Sequence, residues 1–179
     1  MNPRKRKPTF RSIAIYTHNK PSKEKEEIEF LKKLLAFFEK HGIKKISGDV
    51  RTVSMLKNKI TLVDDDEKFD MKIGIGGDGT LLKMMRTLQK KEKEGLILGI
   101  NFGTLGFLSE LSPNNALEAM EQILAGEFHI DTRMLVRAFV RRKNEHGVKE
   151  KAYRAYALND IVFGHGGLAR LTNYHVKVN

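Results

Sequence analysis

The sequence contains no cysteine and no long apolar segment, and each absence excludes a class of protein. Without cysteine the chain forms neither disulfides nor thiolate metal sites, which is compatible with a cytoplasmic protein. No apolar run approaches the ~20 residues that a membrane-spanning helix needs. The basic residues 1–7 lead into no apolar signal-peptide core. We therefore expect a cytoplasmic protein without a membrane partner.

Sequences typical of metal and nucleotide sites in other proteins are also missing. No two histidines have the spacing of a metal-ligand pair, so we predict no metal ligands within the protein itself. The glycine-rich loop that ends in Gly-Lys-Ser/Thr is absent too. A nucleotide, if one binds, is therefore not held in a Walker A loop.

The excess of positive charge does not indicate a nucleic-acid partner. The net charge is +11, as in many nucleic-acid-binding proteins. Lysines, however, alternate with glutamates over residues 23–27 and 90–94, which is typical of solvated helix faces. Only residues 4–7 form a concentrated basic patch, and no aromatic residue lies among them for base stacking. We expect no nucleic-acid binding, although the positive field would attract phosphorylated substrates.

Apolar periodicity predicts an α/β domain over residues 12–127. Strands and helices alternate there, which implies right-handed βαβ units and an open parallel sheet. The stretch 43–63 is weaker and predicts short strands and one helix without firm bounds. The predicted strands are 12–17, 69–75 and 96–100, and the predicted helices are 23–41, 80–91 and 116–124.

The pattern changes to a β type near residue 128. Strand-like runs occupy residues 134–142, 153–163 and 171–178, with turns at 144–147 and 164–167. Three strands can hardly bury a core alone, so this unit must dock on the first domain, pair with another chain or belong to a larger domain. We therefore divide the chain into a basic N-terminal segment, 1–11, the α/β domain, 12–127, and an incomplete all-β domain, 128–179.

Residues 73–82, with the sequence IGIGGDGTLL, predict a strand, a glycine turn and a helix. Glycines let backbone N–H groups approach a polyanion, and a helix N-terminus offers free N–H groups. Phosphates would repel Asp78 unless this carboxylate binds Mg²⁺ or accepts a proton from an attacking hydroxyl. The segment therefore predicts phosphoryl transfer to an alcohol. The alternative interpretation is an ordinary Asp-Gly turn between a strand and a helix.

Four segments, in this order, resemble the NAD kinases. They are 76–82, 99–108, 126–135 and 157–160, and the resemblance extends from about residue 13 to the last residue. The first segment is also similar to a shorter signature of lipid kinases of the diacylglycerol kinase type and, more loosely, of phosphofructokinases. The resemblance implies transfer of the γ-phosphate of ATP, with Mg²⁺, to the 2′-hydroxyl of the adenosine ribose of NAD, in a homo-oligomer.

The resemblance also implies a role for each matching residue. Asp78 would accept or orient the proton of the 2′-hydroxyl as this oxygen attacks. Asn159 would bind the adenine edge and Asp160 the ribose hydroxyls, although an Asn-Asp pair also suits a β-bulge. For Leu82, core packing is an equally good interpretation. The phosphates would be surrounded by Gly76, Gly77, Gly79 and Thr80, and the dinucleotide pocket would be walled by Leu82 and Phe107.

Two other functions stay open at this point. A lipid or sphingoid-base kinase would share the glycine turn but would need an apolar acyl pocket or a membrane-facing surface, and the sequence shows no amphipathic membrane helix. A nucleotide-binding module without catalysis is the other alternative. In the NAD kinases a threonine- and tyrosine-containing loop clasps the adenine side of NAD, and nothing in this sequence matches that loop.

Overall fold

The computed structural model describes residues 10–17, 24–64, 67–88, 95–103, 106–109, 111–143, 147, 149–162, 164 and 175–177. The chain divides into two compact units, residues 1–131 and residues 132–179. The first unit contains a parallel five-stranded sheet with helices, and the second contains a two-stranded antiparallel sheet. The predicted α/β class is confirmed.

The parallel sheet of the first unit has the strand order β3-β2-β1-β4-β5. The order reverses beside β1, since β2 and β3 lie on one side of it and β4 and β5 on the other. In an open parallel sheet, ligands bind near such a reversal, at the carboxyl ends of the strands. The strands are β1 (Ser12–Thr17), β2 (Lys45–Gly48), β3 (Thr61–Leu62), β4 (Met71–Gly76) and β5 (Leu96–Asn101).

The described residues form four helices beside this sheet, close to the positions that periodicity predicts. The main difference is at the third helix, which begins at Asp78, two residues before its predicted start. Only Gly77 therefore separates this helix from β4. The predicted end of the same helix, near residue 91, lies outside the described residues. The helices are α1 (Glu24–Lys40), α2 (Val50–Met55), α3 (Asp78–Leu88) and α4 (Ala116–Ala125).

The core of the first unit lies between the central strands and the apolar face of α1. Strands β1 and β4 are buried along nearly their whole length, as expected for parallel strands covered on both faces. Helix α1 contributes residues at helical spacing, so that one face of it is apolar. The fully buried apolar side chains of these three elements are Ile13, Ala14, Ile15, Leu31, Leu34, Phe38, Met71, Ile73 and Ile75.

Helix α3 packs closely on β4 and β5 because two positions in these strands lack side chains. A Cβ atom added to Gly74 would lie 2.7 Å from Cδ2 of Leu81, and one added to Gly99 would lie 2.7 Å from Cδ1 of the same leucine. Side chains at these positions would push the helix away from the sheet. The two glycines thus hold the start of α3 at the carboxyl edge of the strands.

The second unit is a hairpin of β6 (Val136–Lys143) and β7 (Lys149–Ala157), with a register shift between Val140 and Arg141. The prediction of a strand that continues to residue 163 was wrong for residues 158–162, which are not in a strand. Asparagine and aspartate, which occupy two of these positions, are unfavourable in strands. The third predicted strand lies mostly outside the described residues, and its described part, 175–177, is not in a strand.

Candidate active site

The glycine turn after β4 brings the chain directly from strand to helix. Gly76 has a φ of 149°, a backbone conformation that side chains disfavour. Its carbonyl accepts a hydrogen bond from the N–H of Phe102 at 3.0 Å, and the carbonyl of Gly77 accepts one from the N–H of Thr80 at 2.8 Å. As a result, Asp78 is the first residue of α3, at the carboxyl edge of the sheet.

Three described donors surround the carboxylate of Asp78. Its Oδ2 accepts a hydrogen bond from the N–H of Phe107 at 2.8 Å. Its Oδ1 accepts one from the N–H of Leu108 at 3.2 Å and one from the hydroxyl of Ser109 at 3.0 Å. A Cβ atom on Gly106 would collide with this carboxylate. The segment 106–109, which follows β5, therefore wraps around Asp78, and it needs glycine at its first position.

These hydrogen bonds keep Asp78 ionised. Burial by itself would raise the pKa of Asp78, but the hydrogen bonds from Phe107, Ser109 and Leu108 outweigh this effect and hold the pKa below its usual value. The position in the first turn of α3 also favours a negative charge. An ionised carboxylate with a low pKa is a weak base, but it can orient a hydroxyl group or bind a cation.

Thr80 has a buried hydroxyl group without a hydrogen-bond partner among the described residues. Thr80 as a whole is only 2% exposed, so water cannot easily reach the hydroxyl and replace the missing hydrogen bond. Thr80 also lines a cavity of about 880 Å³ at the carboxyl ends of the strands. The hydroxyl oxygen itself is buried, so a ligand in this cavity would become its partner only after a local rotation of the side chain.

Gly77 and Gly79 leave open space at the start of α3. A Cβ atom added to either glycine would meet no other atom within 4 Å. Packing within the protein therefore does not require glycine at these two positions. What the missing side chains provide is access to the first turn of α3, where backbone N–H groups lack intrahelical acceptors and bind anions readily.

The start of α3 has two different sides. Asp78 contacts the segment 106–109, which follows β5, and it is not among the described residues that line the cavity. Thr80 and Lys83 do line the cavity, together with residues that follow β1 and β2. Among the described residues, Asp78 thus makes its contacts with the segment after β5, whereas the cavity is lined from the side of β1 and β2.

The two remaining predicted residues of the first unit have different environments. Leu82 is half-buried and is not among the described residues that line the cavity. The side chain of Phe107 is 95% exposed. In this structure only the N–H of Phe107 contacts the site, so the predicted contact of its ring with a dinucleotide stays a prediction.

Asn159 and Asp160 lie in the second unit, just after β7. Both are exposed, and Nδ2 of Asn159 donates a hydrogen bond to Oδ1 of Asp160 at 3.1 Å. The amide and the carboxylate are therefore next to each other and accessible. Their predicted role in binding a dinucleotide stays a prediction.

Two residues near the turn, Ser109 and Asp49, were not singled out from the sequence. Ser109 gives no signal, because a single serine after a strand has many ordinary roles. Asp49 lies in the wall of the cavity and follows β2 directly; its position at a strand end could have identified it if the bounds of β2 had been predictable. Among the described residues, no group of three or more histidine, aspartate or glutamate side chains could hold a metal ion.

Comparisons with known proteins point to one family. The family model of the ATP-NAD kinase N-terminal domain matches residues 5–128. The NAD kinase of Marinomonas sp. (strain MWYL1) is 29% identical over 174 residues, which cover 95% of this chain and 56% of that protein. The NAD kinase of Carboxydothermus hydrogenoformans is 40% identical over 134 residues, which cover 75% of this chain and 44% of the relative. The chain thus spans about half the length of the curated relatives that it matches.

A solved structure supports the same fold. The yeast NADH kinase, crystallised in complex with NADH, matches with a TM-score of 0.66 at 16% identity, over 85% of this chain and 48% of that one. Among the described residues, no helix has both the length and the apolar character that a membrane crossing requires. Because the family's N-terminal domain matches well over half of the sequence, the chain belongs to the ATP-NAD kinase family.

Proposed function

We propose that this chain forms the phosphate-binding half of an NAD kinase. The completed protein would transfer the γ-phosphate of ATP to the 2′-hydroxyl of the adenosine ribose of NAD and so produce NADP. One observation carries this proposal: an ionised Asp78 lies in the first turn of α3, between two glycines that leave the turn open. The names of the relatives and the family match provide the substrate class.

The proposed reaction is an in-line displacement. The 2′-oxygen would form a bond to the γ-phosphorus, the bond to the bridging oxygen of ADP would break, and the hydroxyl proton would leave to Asp78 or to water. Phosphoryl transfer depends mainly on positioning and on charge stabilisation, since its transition state is loose. A carboxylate of low pKa can therefore serve here, because it orients the hydroxyl and accepts the proton only late.

The phosphates would contact the first turn of α3. Gly76, Gly77 and Gly79 would leave the backbone N–H groups accessible, and Thr80 would donate its buried hydroxyl. The Mg²⁺ that accompanies ATP usually takes one or two carboxylates and several phosphate oxygens. Because Asp78 is assigned to the reacting hydroxyl, the phosphate oxygens and water would carry this Mg²⁺, which would neutralise charge on the phosphates.

The proposed contacts with NAD involve residues that the resemblance to the family assigns. Phe107 and Leu82 would wall the dinucleotide, and Asn159 and Asp160 would bind its adenosine part. The exposure of Phe107 and of the Asn-Asp pair is compatible with contacts to a ligand. We further propose that residues 128–179 begin an all-β domain, and that the completed protein is a cytoplasmic homo-oligomer.

The alternatives receive less support. A lipid kinase would share the glycine turn, but the family match and the relatives' names favour NAD as the acceptor. A nucleotide-binding module without catalysis would share the fold, but it would not need an ionised carboxylate beside the phosphate turn. Measured activity of the completed chain separates these possibilities.

The proposal is tested by replacing Asp78 in a chain completed with the C-terminal half of the Marinomonas relative. Asp78→Asn should lower kcat for NADP formation by about 10²-fold or more, as is usual when a group that contacts the reacting hydroxyl is removed. Ser109→Ala keeps the carboxylate and removes one of its donors, so it should cost much less. Glu118→Gln, at an exposed position on α4, is the control without effect. Near-normal turnover of Asp78→Asn would exclude the proposed role.

A further inference from the structure

The hairpin of β6 and β7 has two faces of different composition. Side chains alternate between the faces along a strand, and residues opposite each other on paired strands share a face. Val136 is opposite Ala157, and Val140 is opposite Tyr153, so this face is largely apolar. The other face carries Arg137, Phe139, Arg154 and Tyr156, and we call it the arginine–aromatic face.

Arginines and rings alternate on the arginine–aromatic face in both directions. Across the strands, Arg137 is opposite Tyr156, and Arg154 is opposite Phe139. Along β6, Cζ of Arg137 lies 5.0 Å from the ring centroid of Phe139. Along β7, Cζ of Arg154 lies 5.6 Å from the ring centroid of Tyr156. These are cation–π distances, so each guanidinium is held in a defined place beside a ring.

The arginine–aromatic face is open to solvent. Arg137, Arg154 and Phe139 are exposed, the last at 40%, and Tyr156 is half-buried. Further strands of a β domain would cover the opposite, apolar face, because burial of unpaired arginines is costly. We therefore expect the arginine–aromatic face to stay accessible in the completed protein.

Most of the positive charge of the chain belongs to the second unit. Residues 132–179 contain ten lysines and arginines and three acidic residues, which accounts for +7 of the net charge of +11. Of the side chains of β6 and β7 that the structure describes, none is acidic. Runs of neighbouring residues, on which the expectation of no nucleic-acid binding rests, do not reveal this face, because it joins residues that are 15 and 19 positions apart in the sequence.

Cations and aromatic rings together match a ligand that carries both phosphates and bases. Arginine pairs with phosphate oxygens, and its binding to a phosphate backbone is favoured by the counterions that the backbone releases. Bases stack on aromatic rings and on guanidinium planes, and sheet faces with such rings bind single-stranded RNA in other folds. A simple anion would use only the arginines of this face, and an apolar partner would use only its rings.

We propose that the arginine–aromatic face binds single-stranded nucleic acid. The arginines at 137 and 154 contact the phosphates, and the rings at 139 and 156 stack on the bases. Because these contacts involve the backbone and the planes of the bases, the binding has little sequence preference. Phosphoryl transfer is not needed for this binding, since all four residues belong to the second unit.

Fluorescence anisotropy with two labelled polyanions tests the stacking contacts. The probes are a single-stranded oligoadenylate RNA and heparin, which is polyanionic but has no bases. Phe139→Leu keeps apolar volume and removes the ring. It should weaken binding of the 179-residue chain to the RNA about fivefold or more and leave heparin binding within about twofold. Tyr153→Leu removes a ring on the apolar face, where Tyr153 is 63% exposed, and should change neither.

Arg137→Gln tests the phosphate contacts. It should weaken binding of both probes and lower the slope of log K against log salt for the RNA by about 0.7, the value expected for one contact with a single-stranded backbone. Arg86→Gln removes the same charge at an exposed position of α3 and should leave the slope unchanged. Light scattering on each sample separates RNA binding from self-association.

Several outcomes would overturn the proposal. They are no RNA binding by the wild-type chain at low salt, an equal loss of RNA and heparin binding in Phe139→Leu, or equal effects of Phe139→Leu and Tyr153→Leu on the RNA. Binding to phosphatidylserine vesicles without binding to RNA would overturn it too, and would assign the face to a membrane surface. If circular dichroism shows that Phe139→Leu disturbs the hairpin, Tyr156→Leu gives the same test at the second ring.

Discussion

At the scale of single residues, the environment of Asp78 determines both its charge and its chemistry. The carboxylate accepts hydrogen bonds from residues 107–109, so it is part of a local structure as well as of the proposed site. Asparagine in its place would offer one oxygen and one N–H₂ group. The N–H₂ group would face a backbone N–H donor, so a hydrogen bond would be lost.

The loss of folding stability that Asp78→Asn causes should depend on pH. The pKa of Asp78 in the folded chain lies below its usual value, so the ionised group stabilises the fold above the unfolded pKa, and this stabilisation disappears as pH falls through the folded pKa. Asp78→Asn should therefore lower the free energy of unfolding by about 1–3 kcal/mol at pH 7, and by less at pH 3, which lies below the usual pKa of an aspartate. Urea unfolding at both pH values measures this. An equal loss at pH 7 and pH 3 would contradict the assigned hydrogen bonds.

Gly79 should show opposite effects on stability and on binding. Alanine is favoured over glycine in helices by up to about 1 kcal/mol, and a Cβ atom at Gly79 meets no neighbour within 4 Å. Gly79→Ala should thus leave Tm unchanged or raise it, while the methyl group blocks the turn and weakens tripolyphosphate binding about threefold. Gly106→Ala is the contrasting variant, because its Cβ would collide with Asp78, and it should lower Tm. Unchanged tripolyphosphate binding in Gly79→Ala would place the phosphates elsewhere.

At the scale of elements, apolar periodicity in the sequence predicted the strands and helices, but it could not predict features that depend on tertiary contacts. Strands β1, β4 and β5 were predicted within two residues, because they are continuous apolar runs. The start of α3 was predicted two residues late, since Asp78 and Gly79 are poor residues in a helix interior although the first turn accepts them. The contact between Asp78 and segment 106–109 could not be predicted, because it joins the first residue of α3 to hydrogen-bond donors in a loop 29 or more residues later in the sequence.

The packing of α3 on β4 can be tested by a double-mutant cycle. Gly74→Ala would place a Cβ atom 2.7 Å from Leu81 and should lower the free energy of unfolding by about 1–3 kcal/mol. Leu81→Ala alone should also destabilise, because it opens a cavity. The double variant should be more stable than the sum of the two losses predicts, since the new methyl group occupies part of that cavity. Strict additivity in urea unfolding would contradict the close packing.

At the scale of the whole molecule, the chain spans about half the length of its curated relatives, and its second unit is small. A two-stranded hairpin is marginal in isolation. Several apolar side chains of this unit are exposed, among them Met134 at 92%, Tyr153 at 63% and Val136 at 51%. This surface is unfavourable in water, and exposed strand edges invite pairing with another chain.

We therefore expect the 179-residue chain to self-associate through residues 132–179 and to form little or no NADP. Light scattering measures the association, and a coupled NADP assay on the same sample measures the activity. A variant with Met134→Lys and Val136→Lys should reduce the association without changing tripolyphosphate binding. A monodisperse wild-type monomer with full activity would contradict the expectation.

If the turn at Gly76–Thr80 supports phosphoryl transfer to NAD, as proposed, the identity of the phosphorylated product will show it. The chain completed with the C-terminal half of its Marinomonas relative is incubated with ATP, Mg²⁺ and an equimolar mixture of NAD and diacylglycerol. ³¹P NMR then identifies the new phosphate ester. We predict a phosphomonoester on the 2′-oxygen of the adenosine ribose of NAD, absent when Asp78 is replaced by Asn. Phosphorylated lipid, or no transfer by a folded chain that binds both ATP and NAD, would contradict the account.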